Sequence, residues 1–277
     1  MKSLQRNPKQ RIQSKKFAAW SFEKIVLPII PFLGLLIIWE AAAKNSTPDL
    51  LPSPIIVGKA IIELAKNGVL YDNITASLFR VFSGFLLAAF CAIPIGIVLG
   101  WYKRSGNTFS PLIQVFRTIS PISWIPLAIL WLGIGDLPAI FIIFISSFFP
   151  LLIATIHACK EIDPVLLRVA QNFGAYGGKL FLHVVLPASF PYIVIGLRIS
   201  LGISWVVIVA AEMVGLRSGL GYLIMDARNF LRTDYVMAGM VVIGIIGFIL
   251  DRIMLYVERQ VERHRMKLED VWDITKT

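Results

Sequence analysis

Apolar residues in this chain gather into six long runs separated by short polar stretches: Ile25–Ala43, Leu78–Gly100, Pro111–Trp131, Leu137–Ala158, Ser189–Val214 and Tyr235–Tyr256. Each is close to the ~20 residues an α-helix needs to cross hydrocarbon, where unpaired backbone groups cannot be left. The pattern predicts an all-α polytopic membrane protein with about six transmembrane helices. Two of the intervening stretches carry helical signals of their own. Ser53 can cap free amides and Pro54 suits a first helical position, which predicts a short surface helix over Ile55–Lys66. Leu220, Leu223, Ile224 and Ala227 recur at helical spacing opposite Asp226, Arg228 and Asn229, which predicts a second helix over Gly219–Leu231, at the outer interface.

Composition sharpens the class. Charged residues make up 16% of the chain and hydrophobic ones 57%, with a mean hydropathy of +0.74, whereas a soluble domain carries about a quarter charged residues. A soluble globular enzyme is excluded. The net charge of +10 reads as Lys and Arg retained on the cytoplasmic side of a membrane, not as a nucleic-acid footprint. An even number of spans puts both termini on one side. With the termini inside, cytoplasmic pieces hold 17 Lys and Arg and outer pieces seven, Arg80 among the latter, so the orientation predicted is N-in and C-in. Residues 1–24 then form a basic cytoplasmic N-terminus, 25–257 the membrane domain and 258–277 a solvated cytoplasmic tail. The first run is long enough to span, and Trp39-Glu-Ala-Ala-Ala-Lys44 is a poor cleavage site, so it reads as a retained span and not a signal peptide. Cys91 and Cys159 read as small hydrophobes, and His157, His183 and His264 stand apart without ligand or nucleophile–base spacing. No catalytic or metal site is expected.

One polar stretch, residues 161–187, lies between the fourth and fifth runs. Asp163 can cap a helix begun by Pro164, and Leu166, Leu167, Ala170 and Phe173 give it an apolar face before Gly174 lets the chain turn. Small Ala and Gly residues suit close approach by another protein; an interfacial helix lying on the inner leaflet has the same periodicity. The spacing of Ala170, Gly174, Val184, Leu186 and Pro187 resembles the E-A-A-x3-G-x9-I-x-L-P cytoplasmic loop of permease subunits of bacterial binding-protein-dependent ABC importers. Arg168 and Val169 stand where that pattern has Glu and Ala. Leu51-Pro-Ser-Pro54, Ala76-Ser-Leu-Phe-Arg-Val81, Pro121-Ile-Ser-Trp-Ile-Pro126, Leu132-Gly-Ile-Gly135, Gly196-Leu-Arg-Ile199 and Ala210-Ala-Glu-Met213 with Gly219-Leu-Gly221 are similar to the branch that imports nitrate, bicarbonate, taurine and aliphatic sulfonates. The resemblance implies a homodimer in a bacterial inner membrane, working with two ATPase subunits that bind ATP and magnesium and with an extracytoplasmic solute-binding protein. It also implies an ATPase-coupling helix carried by Asp163, Leu166, Leu167, Arg168, Ala170, Phe173 and Gly174, with Leu186 and Pro187 closing the loop. The sequence holds no Gly-x4-Gly-Lys-Ser/Thr phosphate loop, so ATP hydrolysis is expected on another chain, with no cofactor on this one.

The third run holds Pro121 and Pro126 around Ser123 and Trp124, and proline inside a helix removes backbone hydrogen bonds and kinks or breaks it. Broken backbone at membrane depth is tolerated where it lines a cavity, so Ser120, Pro121, Ser123 and Trp124 are the leading pathway candidates, the alternative being a packing kink. Ionisable residues within spans are costly and face the interior or water. Arg198 is a candidate for attracting an anion, the alternative being an arginine that snorkels to the inner interface or ties spans together; Ser200, Ser204 and Trp205 are candidates for lining the pathway, the alternative for the serines being close helix packing; and Arg117 sits in the inner half of its span. Glu212, at the outer end of the fifth run, is expected to gate or to pair with Arg217 or Arg232. The function implied is ATP-driven import of a small anion by alternating access. Nitrate, with nitrite, comes first, then bicarbonate, then taurine or alkanesulfonates. A transporter of another class, a secondary anion carrier needing no ATPase, would show more ionisable residues at mid-membrane.

Overall fold

A computed structural model describes residues 30–47 and 49–273, with the side chains of Lys103 and 264–273 left aside. The basic N-terminus and the first residues of the first predicted span therefore lie outside the described residues. Every regular element among them is helical: α1 (30–44), α2 (Pro54–Lys66), α3 (Val69–Trp101), α4 (Lys103–Thr118), a 3-10 turn (Pro121–Trp124), α5 (Ile125–Leu132), α6 (Asp136–Lys160), α7 (Pro164–Asn172), α8 (Gly177–Leu180), α9 (Leu186–Glu212), α10 (Leu220–Asn229) and α11 (Thr233–Asp273). Ser53 caps α2 by accepting from the Ile56 amide, as its sequence predicts. The C-terminal tail begins within α11, which runs unbroken past Val257.

Four helical segments of the described residues are long and apolar enough to cross a membrane, and α4 with α5 would make a fifth crossing, bent by 83°. The bounds shift from those predicted, for local reasons. The second crossing starts at Val69 and not Leu78, because the polar residues of its first turns find partners: Asn73 donates to the Val69 carbonyl, Thr75 to Tyr71, and Ser77 and Arg80 reach other helices. The fifth is helical from Gly177, through a π-helical turn at Phe181–Val185, to Glu212. That wide turn precedes Pro187, which has no amide to give, and the Leu186 amide reaches back five residues to Phe181. In the third crossing, Ile119 and Ser120 are extended (ψ 120° and 130°), the conformation that Pro121 favours in the residue before it. The α-helix resumes at Ile125, with Pro126 in its first turn where a missing amide costs little. The single third span of the hydropathy pattern is thus two helices.

The body is a slab of α3, α6 and α9. Small residues bring the helices together, as membrane interiors require when lipid tails are as apolar as leucine. A Cβ added to Gly84 would lie 2.7 Å from the Ile140 carbonyl and from Ile143 Cβ, and one at Gly96 would lie 2.6 Å from Thr155 Cβ. Ala88, Ala92, Ser147, Thr155, Ser200 and Ser204 are wholly buried in the same seams. Trp205 closes the core against α11, its indole N–H donating to the Ile243 carbonyl at 3.0 Å. Two features are carried at opposite ends of this slab, about 37 Å apart by the length of 25-residue α6.

Candidate coupling face and polar clamp

At one end, α7 hangs between the C-terminus of α6 and the start of α8. Its first turn forms because the Asp163 carboxylate accepts from the Val165 amide at 2.7 Å and Pro164 opens the helix. It ends at Gly174, whose φ of +82° lies in the left-handed region where a Cβ is costly. None of its residues is buried. Leu166 and Val169 are exposed, and Phe173 is 88% exposed. Leu167 and Ala170 are half-buried on the side facing the body. Arg168 folds back on its own helix, Nε donating to the Pro164 carbonyl at 3.3 Å. Leu186 packs against the small cluster of Ile97, Ala158, Cys159 and Ile193, so it ties the loop to the slab, while Pro187 stays exposed at the head of α9. The structure thus gathers the sequence-singled residues of 163–174 into one short helix with an uncovered apolar side.

The opposite end holds an ion pair that sequence reasoning did not assemble. The side chain of Glu212, at the C-terminus of α9, is fully buried. Its carboxylate accepts from Arg80 Nη1 at 2.7 Å, from Ser77 Oγ at 2.8 Å and from the Gly221 amide at 2.9 Å. Arg80, 3% exposed, also donates to Asp136 of α6 through Nε at 2.8 Å, and to the carbonyl and hydroxyl of Ser218 at 2.8 and 2.6 Å. The amides of Gly219 and Leu220 donate to Asn73 Oδ1 and Ser77 Oγ. The first amides of α10, which no residue of that helix could satisfy, are therefore capped by side chains of α3 and α9. Space explains the two glycines: a Cβ on Gly219 (φ +110°) would sit 2.3 Å from the Glu212 carboxyl carbon, and one on Gly221 2.4 Å from the Val209 carbonyl. The expected partners of Glu212, Arg217 and Arg232, are not its partners. Arg232 instead pairs bidentately with Asp234 at 2.9 Å and lies 3.8 Å over the Tyr235 ring. Arg80, read from sequence as an outer-loop charge, lies inside α3. A signal was available: Asn73, Ser77 and Arg80 stand at i, i+4 and i+7 and share one helix face.

The pathway candidates separate. Ser120 and Ser123 are exposed beside the break, Pro121 is half-buried, and Trp124 packs on the main core with its indole N–H buried and without an acceptor among the described residues. Ser204 is wholly enclosed between α6 and α9, bonded to the Ser200 carbonyl at 2.7 Å and to the Ser147 hydroxyl; it packs helices and faces no open path in this conformation. Ser200 and Trp205 are likewise interior. Arg198 is not a free cation: Asp251 grips it at 2.8 and 3.2 Å and Glu258 at 3.0 Å, tying α9 to α11 and cancelling the charge that an anion would need. Among the described residues, no cluster of His, Cys, Asp or Glu could hold a metal ion.

Long apolar helices joined by small residues, one crossing broken at its prolines and an amphipathic helix held free at one end define the membrane-spanning subunit of a transporter. The chain belongs to the family of binding-protein-dependent transport system inner membrane components, which matches residues 92–263. It is 43% identical over 85% of its length to a protein of Methanocaldococcus jannaschii named as an ABC transporter permease, of which the match covers 91%. It is 34% identical to the nitrate import permease NrtB of Synechocystis, covering 85% of this chain and 88% of that one, and 33% identical to the taurine transport permease TauC of Escherichia coli, covering 82% and 86%. Other relatives carry names for aliphatic sulfonate transport. The fold is that of the MetNI methionine ABC transporter in its inward-facing conformations, with a TM-score of 0.62, 20% identity and coverage of 70% of this chain and 96% of that one. The protein is accordingly a multi-pass bacterial inner-membrane permease subunit of an ABC importer, in the branch that includes nitrate, taurine and sulfonate transporters. Permeases of this family work with ATPase and binding-protein partners.

Proposed function

We propose that this permease, as a homodimer with two ATPases, imports a small oxyanion delivered by an extracytoplasmic solute-binding protein, nitrate with nitrite being our first choice. The observation that carries the coupling half of this reading is α7. An apolar side that includes Leu166, Val169 and an almost fully exposed Phe173 is costly in water and needs a partner surface. The helix hangs directly between two crossings, so a push on it moves both. ATP, with magnesium, is bound and split on the partner subunits; closure of the ATPases shifts α7, tilts α6 and α9 and opens the translocation path outward, and hydrolysis resets it.

The cargo half rests on chemistry shared by nitrate, taurine and the sulfonates, each of which presents a planar or tetrahedral group of oxygen acceptors. The break between α4 and α5 supports it. The Trp124 indole N–H is a buried donor without an acceptor among the described residues, and the hydroxyl of Ser123 lies exposed next to it. A buried donor left unsatisfied is costly, and a passing oxyanion would relieve that cost.

The test is uptake by the reconstituted complex of permease, ATPases and binding protein, measured in parallel for labelled nitrate, bicarbonate, taurine and methanesulfonate. ATP-dependent accumulation of one of these is expected. Accumulation by the permease alone would replace the reading with that of a secondary carrier. Trp124→Phe keeps the size and removes the donor, and should raise the cargo KM about fivefold, the equivalent of one hydrogen bond of ~1 kcal/mol. An unchanged KM removes Trp124 from the pathway. Gly174→Trp should abolish ATPase association; full association and transport would reject the coupling role of α7.

A further inference from the structure

The α7 end of the slab holds a second feature that neither coupling nor the α10 clamp uses. Between α4 and α6 lies a cavity of about 230 Å³, bordered by Ser110, Gln114 and Arg117 on α4 and by Ile156, His157 and Lys160 on α6. It is far larger than the roughly 10–15 Å³ one water needs. Arg117 and Lys160 have no hydrogen-bond or ion-pair partner among the described residues, and no carboxylate borders the cavity. Glu161, next in sequence to Lys160, is not part of the lining. The contrast with Arg198 is direct: that arginine is neutralised by two carboxylates, whereas Arg117 keeps its charge.

The donors suit an oxygen-rich anion. A guanidinium offers a planar fork of N–H groups, an ammonium three rotatable donors, and imidazole and amide one or two more. Gln114 already donates to the Ser110 hydroxyl at 3.1 Å, which orders both groups on the α4 wall. Ile113, Ile153 and Ile156 give the site an apolar floor, while Gln114, Arg117, His157 and Lys160 reach its open side. An ionisable residue within a crossing that lacks a partner is costly unless it faces water or a ligand.

We infer that this cavity binds an oxyanion group, held chiefly by Arg117 and Lys160, at the end of the permease that carries α7. The group is either a free anion or the phosphate of an anionic lipid. The site does not depend on which cargo crosses, so a failure of the cargo assignment leaves it standing.

The test uses the full complex of permease and ATPases in nanodiscs. In one arm the discs are zwitterionic and saturation-transfer NMR follows the methyl protons of added methanesulfonate; in the other, native mass spectrometry counts phosphatidylglycerol retained from mixed-lipid discs. One of the two signals is expected in the wild type, and Arg117→Gln with Lys160→Gln should lower it by at least about tenfold, since two charge-assisted hydrogen-bonding groups are lost. Arg117→Lys with Lys160→Arg should keep it, which separates loss of charge from loss of folding. Arg228→Gln, a neutralisation at the opposite end, should change nothing. The first signal assigns the source to free anion and the second to lipid. Absence of both in the wild type, or an undiminished signal in the neutralised variant, would overturn the proposal.

Discussion

Replacing Glu212 with glutamine removes one charge from the clamp and leaves its shape, and the structure fixes how much that should matter. Arg80 is held by two carboxylates in very different settings: the Glu212 side chain has no exposure and that of Asp136 is 54% exposed. An exposed partner contributes about 0.2–1 kcal/mol, because water and salt already screen it. A hydrogen bond to a buried charged group contributes about 1.5–3 kcal/mol, and removing one partner of a buried pair costs about 3–5 kcal/mol. Glutamine can still accept from Gly221, so Glu212→Gln should cost about 2 kcal/mol. Glu212→Ala also strands the Gly221 amide and should cost about 3–5 kcal/mol. At roughly 2–4 °C per kcal/mol for a domain of this size, Asp136→Asn should lower the Tm by about 0.4–4 °C, Glu212→Gln by about 4–8 °C and Glu212→Ala by about 6–20 °C. Thermal unfolding of purified permease in detergent, followed by the loss of the monodisperse peak on fluorescence-detected size exclusion, reads this series directly. Asp136→Asn matching or exceeding Glu212→Gln would refute the assignment of Glu212 as the principal partner of Arg80.

Phe173→Ser removes an apolar group that is almost fully exposed in the permease, so it should leave the Tm nearly unchanged while weakening co-purification of the ATPase; a Tm drop beyond about 2 °C would mean that Phe173 packs internally. Gly84→Val would force side-chain bulk into the Ile140 carbonyl and should destabilise by about 1–3 kcal/mol or more, read as a lower Tm, and an unchanged Tm would contradict the close α3–α6 approach. Ser204→Ala leaves Ser147 its bond to the Ile143 carbonyl, so it should cost no more than about 1 kcal/mol and preserve uptake; loss of transport with normal stability would return Ser204 to the pathway.

Much of this architecture is legible from order along the chain. Hydropathy alone locates the second to sixth apolar runs, which the described residues show as four long helical segments and one bent pair with shifted bounds, and local chemistry locates helix starts at Ser53 and Asp163 and the break before Pro121, since caps and prolines act on neighbours a few residues away. What the linear pattern does not carry is partnership across the fold. Arg80 finds Glu212 at a separation of 132 residues, and Arg198 finds Asp251 at 53, so one charge assigned to a loop belongs to the interior, and of the two roles the sequence leaves open for Arg198 the pairing shows the tie between spans. The sequence places Ser204 within a crossing, but burial in a seam and exposure to a pathway have the same sequence. The 83° bend is a further case: two prolines announce an interruption and leave its angle to the packing of Trp124 and Ile125 on the core.

The clamp at α10 also sets the mechanics of the whole slab. With three amides of one helix fastened to side chains of two others, and glycine seams that leave no slack between α3 and α6, that end has little freedom to flex on its own. A stiff arm about 37 Å long converts rotation into travel: each degree of tilt applied at α7 carries the far end through roughly 0.65 Å. Small angular strokes at one face would therefore suffice for ångström-scale displacements at the other.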